Sequence, residues 1–132
     1  MAAVTGAVVG VGIDLVAVPR IQRMLKRKGQ RALDRLLTAA ERAYCLGQPV
    51  PARHVAARIA AKEAAYKAFQ TADRARGIGW HEMEVTRDKN GRPSLKLRGH
   101  ALRASKVLKV KAVLLSLSHT DDHAGAVVIL TR

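Results

Sequence analysis

The stretch that most constrains this chain is residues 58–69, Arg58-Ile59-Ala60-Ala61-Lys62-Glu63-Ala64-Ala65-Tyr66-Lys67-Ala68-Phe69. It predicts a well-formed, largely apolar helix that nonetheless carries Arg58, Lys62, Glu63 and Lys67. Glu63 and Lys67 are four apart and share one face, while Arg58 and Lys62 share an adjoining one. Alanine fills most of the gaps, so other backbone or a large ligand can come close. The plain alternative is a surface helix with one Glu–Lys pair, contributing roughly 0.2–0.5 kcal/mol. These residues alone leave both readings open.

Size and charge narrow the choice. At 132 residues the chain forms one domain, 1–132, large enough for a single core. The longest uncharged run, residues 1–13, is too short to span a bilayer and lacks a basic start, so no membrane role is expected. A single cysteine, Cys45, excludes an internal disulfide and a cysteine-based zinc site, which points to the cytoplasm. Twenty-four Lys and Arg against ten Asp and Glu give a net charge of +14. Such a field favours an anionic partner: nucleic acid, a membrane surface, a phosphate-rich small molecule or an acidic protein.

Along the chain, Val8-Val9-Gly10-Val11-Gly12-Ile13 reads as a buried strand ending at Asp14. A helix is expected over 16–28, with Pro19 in its first turn and Gly29 as its stop, followed by a weakly helical 32–37. Thr38-Ala39-Ala40-Glu41 matches a capping box, and Gly47 and Pro49 end the helix it opens. The helix containing Arg58 is expected from about 52–54 to 70, followed by a basic loop over 71–79. From Trp80 the period changes to a hairpin turning at Asn90-Gly91, a helix over 99–108, and two final strands over 110–118 and 124–130. The order predicts an α+β domain with a mainly antiparallel sheet, whose strand order stays open.

Three residues are candidates for chemistry. Asp14 and Glu63 are carboxylates from distant parts of the chain, the set Mg²⁺ accepts when a substrate phosphate completes its shell. Arg58, Lys62 and Lys67 would then hold further phosphate oxygens. His119, ending Ser116-Leu117-Ser118-His119-Thr120, is either a phosphate ligand or a histidine that merely closes a strand. No Gly-x-Ser-x-Gly motif supports a serine hydrolase, and Gly10-Val11-Gly12 lacks what a P-loop needs.

Taken in order, these pieces resemble the holo-acyl-carrier-protein synthases, the small class of phosphopantetheinyl transferase. The matching residues are Gly12-Ile13-Asp14-Leu15-Val16 with Pro19-Arg20-Ile21, Leu37-Thr38 with Glu41, the segment from Arg58 to Lys67, Gly91-Arg92-Pro93, and Ser116-Leu117-Ser118-His119-Thr120. The resemblance implies transfer of 4′-phosphopantetheine from coenzyme A to a serine of an acidic apo acyl carrier protein, releasing adenosine 3′,5′-bisphosphate, in fatty acid or polyketide biosynthesis. It assigns Mg²⁺ to Asp14 and Glu63, transition-state stabilisation to Lys67, coenzyme phosphates to Arg58, Lys62 and His119, and carrier docking to Arg20. Glu63 or a metal-bound water would accept the serine proton. The resemblance also implies a homotrimer with active sites between subunits. A basic nucleic-acid-binding domain is the competing reading, but it leaves Asp14 and Glu63 unexplained, and the scarcity of aromatic residues disfavours a stacking platform. In one place the chain departs from the family: Gln70-Thr71-Ala72 stands where Gly-Thr-Gly is usual, and Arg74 and Arg76 follow.

Overall fold

The computed structural model describes residues 6–70 and 77–132. Thr71, Ala72, Arg74 and Arg76, where the chain departs from the family pattern, lie outside these residues. Strand β1 spans Val8–Ala17 and so runs three residues past Asp14. This corrects the expected strand end. Asp14 pairs with Ala126 in mid-strand, and alternation puts its side chain on the face of Gly12 and Val16.

Helix α1 (Val18–Leu36) follows at once, with Pro19 in its first turn, where a missing N–H costs little. Gly29, at φ 52° and ψ −129°, breaks the helix without ending it, so the expected stop is a kink between two helical segments. Thr38 caps α2 (Ala39–Leu46) through the reciprocal hydrogen bonds with Glu41 that the sequence predicts. Helix α3 spans Pro51–Phe69. A short 3₁₀ turn, Trp80–Glu82, leads into the hairpin β2 (Met83–Arg87) and β3 (Pro93–Leu97). Gly91 sits in its turn at φ 80°. Helix α4 (Gly99–Val107) and strands β4 (Ala112–His119) and β5 (His123–Thr131) complete the order.

The main sheet is antiparallel, ordered β1-β5-β4, with the β2-β3 hairpin as a separate ladder. Helix α3 lies across the inner face of that sheet, with α1, α2 and β2 on its other sides. Most of its residues are therefore buried, which removes the surface-helix alternative. Small residues on both elements set the spacing. A Cβ added at Gly12 would stand 1.8 Å from the Ala64 carbonyl oxygen, and one at Gly10 would stand 2.2 Å from that of Ala68. Backbone thus meets backbone between β1 and α3. Among the described residues nothing covers the opposite face of the sheet, leaving Val11, Ile13 and Leu15 at 58%, 61% and 70% exposure.

Candidate active site

The close approach of β1 to α3 brings Asp14 to Lys67. The Lys67 ammonium lies 3.0 Å from Asp14 Oδ1 and also donates to the Ile13 carbonyl at 3.1 Å. The lysine side chain is about half exposed, so its remaining N–H can reach an incoming group. Glu63 lies one turn earlier on the same face of α3. It has no hydrogen-bond or ion-pair partner among the described residues. Its carboxylate borders a groove of about 670 Å³ floored by Ile21, Met24 and Ile59 and rimmed by Arg20, Arg27 and Arg31. Arg20 is exposed at this rim, at the end of α1 nearest the sheet.

Lys62, expected to hold phosphate, is placed elsewhere. It is fully buried, and its three N–H groups go to Glu41 Oε1 at 2.6 Å, the Trp80 carbonyl at 2.8 Å and the Leu36 carbonyl at 2.9 Å. With every proton donated internally it has none left for a phosphate, so that expectation is corrected. Burial pulls its pKa down, and the Glu41 carboxylate opposes this. Glu41 is more than the cap that the sequence indicates. Besides capping α2 it accepts the Val85 N–H at 2.9 Å, tying α2, α3 and β2 together. Glu84 joins the same network through the Thr38 hydroxyl at 2.5 Å. The lone Cys45 is buried nearby, and desolvation raises its pKa to about 11, so it stays a thiol at neutral pH.

Arg58 and His119 belong to a second cluster. Arg58 is nine residues, or two and a half turns, from Lys67, which puts the two cations on opposite sides of α3. The Arg58 guanidinium stacks 4.2 Å from the centre of the Tyr44 ring and donates to the His54 carbonyl at 3.3 Å. It is 2% exposed, its Nε has no partner, and no carboxylate pairs with it among the described residues. His54 sets its ring edge-on to Tyr44 at 5.6 Å and lies 6.1 Å from the ring of His119. Arg87 approaches the same Tyr44 ring at 5.0 Å. Tyr44, His54 and Arg87 carried no signal in the sequence, because α2, α3 and β2 bring them together only in the folded chain.

Among the described residues no group of three His, Cys, Asp or Glu side chains is gathered to hold a metal. The donor set near Lys67 is two carboxylates, Asp14 on β1 and Glu63 on α3, and their hard oxygens fit Mg²⁺ when a substrate supplies the rest of the shell. One side of α3 thus offers carboxylates and a half-exposed ammonium, and the opposite side offers the Arg58 guanidinium without a carboxylate among the described residues. That combination suits a ligand carrying separated phosphates.

Comparisons with known proteins give the family. Residues 10–128 match the model of the 4′-phosphopantetheinyl transferase superfamily, and the chain belongs to that family. A holo-[acyl-carrier-protein] synthase of Koribacter versatilis is 44% identical over 93% of this chain and 98% of its own. The structure of a holo-(acyl-carrier-protein) synthase from Bacillus anthracis in complex with CoA (3′,5′-ADP) is 32% identical, with a TM-score of 0.76, over 94% of this chain and 96% of that one. The Neisseria meningitidis holo-[acyl-carrier-protein] synthase aligns at a TM-score of 0.80 and 27% identity, over 96% of this chain and all of that one. Within the superfamily, then, this enzyme falls among the holo-acyl-carrier-protein synthases.

Proposed function

We propose that this protein moves 4′-phosphopantetheine from coenzyme A to the serine of an acidic apo acyl carrier protein, with Mg²⁺, in cytoplasmic fatty acid or polyketide synthesis. The observation that carries this reading is the Lys67–Asp14 pair beside a Glu63 that has no protein partner among the described residues and opens on a basic groove. The serine oxygen attacks the β-phosphorus of the pyrophosphate, and the bond to the leaving adenosine 3′,5′-bisphosphate breaks. Asp14 and Glu63 would hold Mg²⁺, which when bound neutralises charge on the phosphates. Lys67 turns its exposed N–H toward the reacting phosphate and stabilises the charge that grows there. Glu63, which lines the groove, would accept the serine proton. Arg20 and the cations beside it on α1 receive the acidic carrier, steering it more than tightening it.

A trimer with shared sites completes this reading. Because Arg58 and His119 lie on the far side of α3 from Lys67, one bound coenzyme reaches both clusters when they come from different subunits. The uncovered apolar face of β1 supplies a surface for such contacts. The test is a transfer assay with purified protein, coenzyme A, Mg²⁺ and a panel of apo carriers, read by mass spectrometry. The carrier gains one phosphopantetheine unit, chelation of the metal stops the reaction, and Asp14→Asn and Glu63→Gln lose transfer while keeping a native circular dichroism spectrum. Absence of transfer to every carrier by folded, metal-supplied protein would sink the reading, and near-normal rates in both variants would remove the metal assignment.

A further inference from the structure

The cluster at the start of α3 holds more positive groups than the proposed reaction has yet used. His54 lies in the first turns of α3, half-buried, with its ring 6.1 Å from that of His119 at the end of β4. Arg58 and Arg53 flank it on its own helix, and Arg87 faces it from β2. Tyr44 of α2 meets it in a T-shaped ring contact. The nearby carboxylate, Asp121, is committed to Arg53 at 2.8 Å. Burial is the main influence on the imidazole, followed by Arg58, His119, Arg87 and Arg53, and all of them hold its pKa below the ordinary value. Arg58, nearly fully buried and without a carboxylate, is a charge that the described residues leave uncompensated. Burying such a cation unpaired is costly, so an anion brought by a ligand is what the cluster lacks.

We infer that His54 is a further recognition residue for the coenzyme, bracketing its 3′-phosphate together with His119 and taking up a proton as that phosphate arrives. The inference rests on the reading of the protein as a coenzyme A-dependent transferase. It adds a residue and a proton to that reading. Two rings at this spacing can each donate to one phosphate, since charge-assisted bonds of about 2.8 Å from opposite sides span such a gap. The 3′-phosphate is the monoester of the donor and carries about −1.5 to −2 charge near neutral pH, more than either pyrophosphate unit. Burial and the surrounding cations favour the neutral form of His54. A dianion between the rings reverses the local field and favours the imidazolium, which then donates where a neutral ring could only share one tautomer. Proton uptake and phosphate binding are therefore linked, and the preference for coenzyme A over 3′-dephospho-coenzyme A grows as pH falls.

The test is calorimetry on the full-length protein at pH 7.5 with coenzyme A and with 3′-dephospho-coenzyme A, each in two buffers of different ionisation enthalpy. Coenzyme A binding takes up a substantial fraction of a proton, and binding of the dephospho form takes up none. In His54→Gln the uptake disappears, and affinity for coenzyme A falls about tenfold toward that of the dephospho form, the factor matching one pKa unit. His119→Gln separates the two rings: uptake that vanishes there but persists in His54→Gln overturns the assignment. A measurement that needs no variant is the pH titration of the His54 ring resonance by NMR. Its midpoint rises on adding coenzyme A, and an unmoved midpoint refutes the proposal. If the wild type transfers phosphopantetheine yet binds coenzyme A without proton uptake, His54 loses its role and the transferase reading stands. If the protein binds no coenzyme A at all, both fall.

Discussion

Lys62 and Glu63 are neighbours in the chain with opposite environments. Glu63 faces a groove, whereas Lys62 is sealed among Glu41, Leu36 and Trp80. A lysine removed from water stays charged only when its partners replace its hydration, and breaking such a pair from one side leaves the other charge buried alone. Lys62→Met should therefore destabilise the protein by about 3–5 kcal/mol in urea denaturation. Lys62→Met with Glu41→Gln should lose less, because the amide oxygen can still accept from Thr38 or Val85 and no unpaired carboxylate remains. His54 gives a different signature. Its pKa is lower folded than unfolded, so the unfolded chain takes the proton first. Its contribution is complete above the unfolded value of about 6.5 and is lost as pH falls through the folded value. The urea midpoint of the wild type should drop between pH 7.5 and 5.5, and the drop should shrink in His54→Gln. Equal drops in both proteins would mean that other groups carry the effect. The sequence presented Arg58, Lys62 and Lys67 all as cations for phosphate oxygens. Only packing separates one that is sealed, one stacked on an aromatic ring and one half-open to solvent.

Among the elements, β1 and α3 hold the candidate site in register. Gly12 and Ala64 let the strand and helix backbones touch, and this places Asp14 within reach of Lys67. A methyl at position 12 would point at the Ala64 carbonyl, a rigid part of the helix, so the elements would have to separate. Gly12→Ala is expected to cost on the order of 1–3 kcal/mol, as overpacking usually does, and to lower transfer by pulling Lys67 from Asp14. Thermal denaturation together with the transfer assay checks this, and unchanged stability would show that the interface can relax. Much of this layer was legible in the sequence: the glycine-spaced strand, the capping box at Thr38 and the alanine-rich helix all declare themselves through local chemistry. The extent of β1 past Asp14 was not legible, because a carboxylate inside a strand is stable only once Lys67 arrives from a helix 53 residues away.

For the whole molecule, two surfaces demand partners. The basic groove along α1 suits an acidic one, and the bare face of β1 suits a second copy of the chain. If subunits meet there, Leu15→Glu should shift the protein to monomers in sedimentation equilibrium and abolish transfer while leaving its circular dichroism unchanged. A variant that remains assembled, or a monomer with full activity, would reject shared sites. By itself the sequence determined the order of elements, the carboxylates and cations available to a site, and the family they resemble, because these depend on local propensity, spacing and residue identity. Only the tertiary structure decided which of those charges serve the fold and which face a ligand. Burial and pairing arise from contacts between α2, α3, β1, β2 and β4, far apart in the chain, and a charge's solvation depends on those neighbours rather than on its own residue type.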